Sequence, residues 1–425
     1  MTLLLGAVIV GLMLIGMPLG FAIIIACLTV IWAGGGVNPA IVAQRLFAGL
    51  DSFTLLAIPF FLLAGALMSE SGMTRRLVAF ANAIVGRFTG GLAMSNVVAS
   101  TFFSGISGSA VADTSVMGRI FIPEMEREGY GRSFSVAVTA AASVVAPIIP
   151  PSIGFIVYGV ITDQSIVRLF VAGLVPGAIY SLLALVVVYL TSRKRRYAVH
   201  EPEPLSEVVS RGIQAGPALV MPFLILAGIF SGVFTVTECS AIAVVYALVV
   251  GGLVYRELTF GRLLAALRET AYTTAVIMII VGAAKLFAWQ LAYTHIPDAA
   301  LAWVTSVAHG PLVFLLMVNV LLLLVGTFME ANAAMVMLVP ILHPAGVALG
   351  VDPVQLGVIV VVNLCLGLIT PPIGLCLNVA CKIAGLPLER SLRDIAPFVV
   401  IGIAVLAALS LAPAVSLWLP KLIMN

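Results

Sequence analysis

The chain has 425 residues, of which 62% are hydrophobic and 9% are charged, and its formal net charge is +3. Roughly a quarter of the residues in a soluble protein are charged, so this composition indicates an integral membrane protein. The apolar runs are long and continuous, which excludes an outer-membrane β-barrel, and the small net charge gives no support for nucleic-acid binding.

Nine apolar segments are close to the length of about 20 residues that a bilayer crossing needs. They are residues 3–32, 53–69, 134–161, 169–190, 214–232, 239–254, 270–293, 353–382 and 396–419. The polar linker 191–213 between them carries a basic cluster, Arg193 to Arg196, which predicts that it lies in the cytoplasm. Counting crossings outward places the N-terminus in the cytoplasm and the C-terminus in the periplasm of a bacterial inner membrane.

Two more apolar segments, 90–126 and 311–344, have small or polar residues at their centres. Arms of about 13 to 17 residues reach only about 20–25 Å, so re-entrant hairpins are favoured over crossings. The first hairpin is predicted to be cytoplasmic because basic residues flank it, namely Arg75, Arg76, Arg87, Arg127 and Arg132. The second is predicted to be periplasmic because its flanks carry no Lys or Arg, only His295, Asp298, His309 and Asp352.

Short motifs recur in the two halves of the chain. The stretch PFFLLAG (59–65) returns as PFLILAG (222–228), and IIPPSIG (148–154) returns as LITPPIG (368–374). We predict a first repeat at 1–190, the cytoplasmic linker at 191–213 and a second repeat at 214–425, running in opposite directions. Each repeat has scaffold helices, an amphipathic arm helix (73–88 or 295–309), a hairpin and a broken helix (134–161 or 353–382). Inverted repeats with broken helices are typical of secondary transporters.

The prolines of the two broken helices point to a binding site. Proline breaks a helix, and the freed backbone groups are tolerated in a membrane only where they line a cavity or bind something. Carbonyl and hydroxyl oxygens bind a hard cation such as Na⁺, and half-helix N-termini attract the carboxylate of an organic anion. We therefore expect each hairpin tip to face a broken helix, with two ion sites around one substrate site. Simple proline kinks with small-residue packing are the alternative.

The candidate Na⁺ ligands come from the two tips and the two breaks: Ser104, Gly105, Ser107, Pro147, Pro150, Gly326, Thr327, Glu330, Pro371 and Gly374. The candidate substrate-binding residues are Ser107, Ser109, Ser152, Asn332, Thr370 and Lys285. No cofactor is expected apart from Na⁺ as the coupling ion.

Three charged residues fall inside apolar segments. Lys285 is either a counter-ion for a substrate carboxylate or a side chain that snorkels to the periplasmic surface. Asp113 and Glu330 follow the two hairpin tips, where they either titrate, lie ionised beside a cation, or cap the returning helices. The tips are rich in hydroxyls and carbonyls, which favours Na⁺ over H⁺ as the coupling ion.

The stretches FSGISGSAVADTSVMGRIFIPEMEREGY, APIIPPSIGFIVYGV and GTFMEANAAMVMLVPIL resemble the large membrane subunit of tripartite ATP-independent periplasmic (TRAP) transporters. The resemblance runs through both halves of the chain. It implies an all-α, inverted-repeat, elevator-type transporter that is driven by Na⁺ and imports C4-dicarboxylates or sugar acids. It also implies a small four-helix membrane subunit and a periplasmic substrate-binding protein as partners. Lys285 is a departure, since an apolar or hydroxyl residue is usual there.

Two other functions remain open at this stage. A stand-alone sodium/organic-anion symporter would share the inverted hairpins and would not need a binding protein. A membrane scaffold or intramembrane enzyme would leave the paired hairpins unexplained. The sequence has no GxxxxGK[ST] loop for ATP, and no HExxH or GxSxG motif, so catalysis is not expected.

Overall fold

The computed structural model describes residues 2–35, 37–197, 199, 203–308 and 310–424. His309, predicted to flank the second hairpin, and residues 198 and 200–202 of the predicted linker lie outside the described residues, as does the side chain of Asp298. The described residues are organised almost entirely as α-helices. This confirms the all-α fold class.

The first half of the chain contains ten helices. They are α1 (Thr2–Leu14), α2 (Leu19–Gly34), α3 (Ala40–Leu50), α4 (Ala57–Glu70), α5 (Met73–Val85), α6 (Gly91–Ser107), α7 (Ala110–Arg127), α8 (Arg132–Ser143), α9 (Ile153–Thr162) and α10 (Ile166–Arg195). Here α5 is the predicted arm, α6 and α7 form the first hairpin, and α8 and α9 are the two parts of the first broken helix.

The second half repeats this order. Its helices are α11 (Leu205–Phe230), α12 (Val236–Val249), α13 (Phe260–Tyr293), α14 (Ile296–Val307), α15 (Pro311–Phe328), α16 (Ala331–Ala348), α17 (Pro353–Gly367), α18 (Leu375–Ala384), α19 (Leu392–Leu411) and α20 (Ala414–Ile423). Here α14 is the arm, α15 and α16 form the second hairpin, and α17 and α18 form the second broken helix. Within the described residues, eight helical segments are long and apolar enough to cross a membrane.

Several predicted boundaries are wrong. The segment 3–32 is two helices, because Gly16 has a left-handed backbone (φ 84°) and Pro18 cannot donate a backbone hydrogen bond. The segment 396–419 is also divided, since α19 ends at Leu411 and α20 begins after Pro413. Helix α3 was not predicted. The linker is shorter than 191–213, because α10 and α11 extend into it from both sides.

The hairpin arms are longer than expected. Helix α6 has 17 residues, and α7, α15 and α16 have 18 residues each. At 1.5 Å per residue, 18 residues reach about 27 Å, which is close to the thickness of a hydrocarbon core. Length therefore does not distinguish these hairpins from crossings. The closeness of the two hairpin tips, described below, favours hairpins.

Fourteen of the helices form two units, while α1 packs on the scaffold, α5 and α14 pack on both units, and α10, α19 and α20 pack on the hairpin unit. The hairpin unit contains α6–α9 and α15–α18, in which each hairpin packs on the second part of the other half's broken helix: α7 on α18, and α16 on α9. The scaffold unit contains α2–α4 and α11–α13, which contact one another and meet the hairpin unit mainly through α4 against α6, α11 against α6 and α13 against α16.

The basic loops of the two halves contact each other at two places. Arg76 pairs with Glu257 at 2.8 Å and Arg262 donates to the carbonyl oxygen of Glu70 at 3.2 Å, which joins the start of arm α5 to the loop before α13. Near α8, the Ser133 hydroxyl donates to the carbonyl oxygen of Arg390 at 2.8 Å. These contacts join loops of the two halves that the sequence predicts to be cytoplasmic, and their location on one membrane face stays a prediction.

Candidate substrate and ion site

The tip of the first hairpin is a tight turn between α6 and α7. Gly108 has a φ of 59°, a left-handed conformation that glycine adopts without strain. The next residue, Ser109, is extended and its hydroxyl accepts a hydrogen bond from the Ala112 N–H at 3.4 Å, which caps α7. A Cβ atom added at Gly108 would lie 2.8 Å from the carbonyl oxygen of Pro151. The tip therefore rests directly on the break between α8 and α9.

That first break is an irregular segment, residues 144–152, with a cis peptide bond between Pro150 and Pro151. The Ser152 hydroxyl donates to the carbonyl oxygen of Pro147 and accepts from the Phe155 N–H, so it caps α9. A Cβ atom at Gly105 would lie 3.7 Å from the carbonyl oxygen of Pro150. Backbone oxygens of the break thus face the last turn of α6.

The second hairpin meets the second break in the same manner. The Gly374 N–H donates to the carbonyl oxygen of Thr327 at 3.2 Å, which joins the break to the end of α15. Gly326 allows α15 to approach α17 closely, since a Cβ atom there would lie 3.2 Å from the Cα of Gly367. The break contains the cis peptide bond between Pro371 and Pro372, and the Thr370 hydroxyl donates to the carbonyl oxygen of Leu366.

Glu330 caps the returning arm α16. One carboxylate oxygen accepts from the Ala333 N–H at 3.0 Å and the other accepts from the Asn332 side-chain amide at 2.8 Å. The carboxylate is therefore fixed at the tip, and the Asn332 amide is held beside it.

Both tips open into one cavity of about 890 Å³, which lies between the hairpin unit and scaffold helices α4 and α13. The two tips are also close neighbours, since a Cβ atom at Gly108 would lie 3.4 Å from the Ile153 nitrogen and one at Gly154 would lie 3.5 Å from the side chain of Met335, in the second turn of α16. The predicted site residues that line the cavity are Ser107, Ser109, Pro147, Glu330 and Asn332. Those outside its lining are Ser104, Gly105, Pro150, Ser152, Gly326, Thr327, Thr370, Pro371, Gly374 and Lys285. Apart from Lys285, the latter lie at the two junctions of tip and break.

Two buried side chains close to the first tip, Ser107 and Asp113, carry oxygen atoms that could face a cation. The Ser107 hydroxyl is buried and has no hydrogen-bond partner among the described residues, whereas the Ser104 hydroxyl donates to the carbonyl oxygen of Thr101 at 2.6 Å. Asp113 is fully buried one turn after the tip, with the hydroxyls of Ser100 and Ser143 beside its carboxylate. Buried polar groups are normally satisfied, so the unpaired Ser107 hydroxyl is a candidate for binding a cation, and the Asp113 carboxylate is a buried acidic group close to it.

Lys285 does not join the other predicted site residues. Its Nζ atom lies 3.9 Å from Asp163 Oδ1, at the end of α9 that is distant from the tips. Gly49 of α3 covers the base of the lysine side chain, and a Cβ atom there would lie 2.8 Å from the lysine Cβ. Lys285 lines a separate cavity of about 390 Å³. In this conformation it does not face the cavity that the tips share.

Three charged residues of the main cavity were missed by sequence reasoning, namely Glu70, Arg119 and Glu269. The signal for Arg119 was present. Ser109, Ala112, Ser115 and Arg119 follow one another at helical spacings of three and four residues, which places them on one face of α7. All four line the cavity.

Comparison with known proteins gives concordant results. Residues 6–415 match the family model described as tripartite ATP-independent periplasmic transporter, DctM component. The chain is 38% identical over 417 residues to the sialic acid TRAP transporter large permease protein SiaM of Vibrio cholerae, covering 98% of this chain and 97% of that protein. It is 41% identical to the C4-dicarboxylate TRAP transporter large permease protein DctM of Pseudomonas aeruginosa, covering 89% of each.

A third relative and one solved structure extend the comparison. The isethionate TRAP transporter permease protein DctMQ of Oleidesulfovibrio alaskensis is 37% identical, covering 96% of this chain and 64% of that protein. The crystal structure of the YdaH transporter of Alcanivorax borkumensis superposes with a TM-score of 0.61 at 14% identity, covering 89% of this chain and 87% of that one. At that identity the likeness concerns the fold alone.

Proposed function

The chain belongs to the DctM family of tripartite ATP-independent periplasmic transporters, whose members are transporter permeases and not enzymes, and we propose that it translocates organic acids together with Na⁺. In this proposal it is the large permease subunit of a secondary-active importer. The observation that carries the proposal is the single cavity lined by both hairpin tips and by scaffold helices α4 and α13. A substrate held there contacts both units at once.

The proposed substrate is an organic acid of the C4-dicarboxylate or sugar-acid type. The named relatives transport sialic acid, C4-dicarboxylates and isethionate, all of which carry an acid group. A cavity of about 890 Å³ falls in the range of small-molecule sites, about 300–1,000 Å³. Ser107, Ser109 and Asn332 line it and supply hydroxyl and amide donors near the tips.

The proposed Na⁺ sites are the two junctions of tip and break. The first combines Ser104, Gly105 and Ser107 with the carbonyl oxygens of Pro147 and Pro150. The second combines Gly326, Thr327 and Glu330 with the backbone of Pro371 and Gly374. Support comes from the unpaired Ser107 hydroxyl and from the buried Asp113 carboxylate behind the first tip, which would offset the charge of a nearby cation.

The proposed mechanism is an elevator, in which the hairpin unit moves against the scaffold with its cargo. The cavity extends from the tips to Glu70 at the end of α4, whose carbonyl oxygen accepts a hydrogen bond from Arg262 of a basic loop. If this end of the molecule is cytoplasmic, as the positive-inside rule predicts, the cavity opens inward. The proposed location is the inner membrane, with a small four-helix subunit and a periplasmic binding protein as partners.

The test is uptake into proteoliposomes that contain the chain and a small membrane subunit. Labelled succinate, a labelled sugar acid and labelled isethionate are supplied with an inward Na⁺ gradient or an inward choline gradient. Uptake that requires both Na⁺ and added binding protein is the expected result. Uptake without binding protein would instead identify a stand-alone symporter, and equal uptake in choline would refute Na⁺ coupling.

A further inference from the structure

Arg119 on α7 is a cation inside the main cavity. Of the residues that line this cavity in the described part of the chain, it is the only one with a positively charged side chain. Its guanidinium is exposed, and its Nε donates to the carbonyl oxygen of Ser115 at 2.9 Å. In the described part of the chain, no carboxylate oxygen lies within 4.0 Å of its guanidinium nitrogens. Its remaining N–H groups are therefore available to bind a ligand.

The direction of the side chain brings the charge toward the tip. Side chains on a helix lean toward its N-terminus, and the bond to Ser115 shows that the guanidinium lies one turn back along α7. Six residues separate Ser115 from the cap Ser109, which corresponds to about 9 Å along the helix axis. An organic acid a few carbons long can therefore touch the tip and the guanidinium together.

The charge balance of the cavity makes this cation important. Glu70, Glu269 and Glu330 also line the cavity, and all three are acidic. Without Arg119 the charged side chains of the lining would all be negative and would repel an organic anion. Guanidinium groups bind carboxylate and sulfonate groups through paired, charge-assisted hydrogen bonds, which are stronger than neutral ones.

We propose that Arg119 is the residue that binds the acid group of the transported anion and so determines specificity for anions. Arg119 holds the acid group in the part of the cavity that lies between the hairpin tips and the two glutamates, Glu70 and Glu269. This inference rests on the proposed transport function, but that function could hold even if Arg119 did not bind the substrate. A different role is that Arg119 pairs with Glu70 or Glu269 as the hairpin unit moves, which would affect the rate of transport and not substrate affinity.

Arg119→Gln and Arg119→Lys separate the two roles in the uptake assay. For the labelled acid that the wild-type protein takes up, we expect Arg119→Gln to raise KM about tenfold or more with little change in Vmax. Arg119→Lys should recover part of the loss, since it keeps the charge and loses the paired geometry. A fall in Vmax at unchanged KM would overturn the proposal in favour of the pairing role.

Competition by amides makes the test specific to the acid group. Unlabelled succinate is compared with its neutral diamide, succinamide, if succinate is transported, and a sugar acid is compared with its neutral amide otherwise. The wild-type protein should prefer the acid to the amide about tenfold or more, and Arg119→Gln should lose most of this preference. An equal preference for acid over amide in the wild-type protein and in Arg119→Gln would refute the proposal for Arg119. The proposed transport function would still stand in that case, because the wild-type protein takes up the acid.

Charge rescue guards against a variant that merely folds poorly. Arg119→Cys is treated with a methanethiosulfonate that attaches a trimethylammonium group, or with one that attaches a sulfonate. The cationic reagent should restore uptake and the anionic reagent should not. The wild-type protein, whose five cysteines are buried, is treated in parallel as the control. Equal effects of the two reagents would contradict the assignment.

Discussion

Lys285 of scaffold helix α13 lies 3.9 Å from Asp163 at the end of α9, so a cation of one unit faces a carboxylate of the other. Their side chains are 33% and 90% exposed, and water therefore screens the attraction. Exposed ion pairs of this kind contribute up to about 1 kcal/mol. The pair can bias the position of the hairpin unit without fixing it.

Lys285→Met tests whether this lysine binds substrate. Because Lys285 lies outside the main cavity, KM for the transported acid should stay within about twofold of wild type. Loss of up to about 1 kcal/mol between the two units shifts their equilibrium, and Vmax with it, by less than about fivefold. Asp163→Asn should give the same change, and the double variant should add nothing. A tenfold rise in KM would restore Lys285 as a substrate counter-ion.

Ser107→Ala removes the unpaired hydroxyl at the first tip. We expect the Na⁺ concentration for half-maximal uptake to rise about fivefold, because one oxygen ligand is lost. Ser95→Ala is the matched control: Ser95 lies on the same helix, its hydroxyl donates to the Gly91 carbonyl oxygen at 2.7 Å, and it is about 18 Å from the tip. Equal effects of the two substitutions would show that Ser107 has no special role.

Asp113→Asn keeps the size of a buried side chain and removes its charge. If the carboxylate balances a bound cation, Na⁺ should raise the melting temperature of the wild-type protein above its value in choline, and the variant should lose this increase. The variant should not melt lower than wild type in choline, since a buried charge without a counter-ion is costly. Asp163→Asn, at an exposed carboxylate, should keep the Na⁺ effect. An unchanged Na⁺ effect in Asp113→Asn would argue against a cation near this residue.

Gly367→Ala tests the close packing of the second hairpin on its broken helix. The added Cβ would lie 2.5 Å from the carbonyl carbon of Gly326, so α15 and α17 must separate. We expect a loss of about 1–3 kcal/mol in stability, visible as a lower melting temperature, together with reduced uptake. Gly216→Ala is the control, because nothing lies within 4 Å of its Cβ and alanine favours a helix by up to about 1 kcal/mol. Equal melting temperatures would contradict the close approach.

The sequence was sufficient for features that depend on local rules. Proline removes a backbone donor wherever it occurs, so PPSIG and PPIG located both helix breaks, between α8 and α9 and between α17 and α18. The small and polar residues at the centres of 90–126 and 311–344 likewise located the turns between α6 and α7 and between α15 and α16. The family resemblance noted on these motifs is confirmed.

Features that depend on neighbours from distant parts of the chain were not predicted. Lys285 and Arg119 are both basic residues in membrane-embedded helices. Their positions in the sequence indicate how deep in the membrane they lie, but they do not indicate which neighbouring helix each side chain faces. Packing against α3 turns Lys285 away from the main cavity, while α7 presents Arg119 to it. The capping of α9 by the Ser152 hydroxyl was likewise not foreseen, and its contact with substrate stays a prediction.

The most direct test of the whole account is to follow radioactive Na⁺ and labelled substrate together in proteoliposomes with the binding protein present. We predict that Na⁺ entry rises only when the transported acid is supplied, in a fixed ratio to it, and that the Ser107→Ala variant needs more Na⁺ for both fluxes. Substrate entry without an accompanying Na⁺ flux would contradict coupling at the two junctions of tip and break.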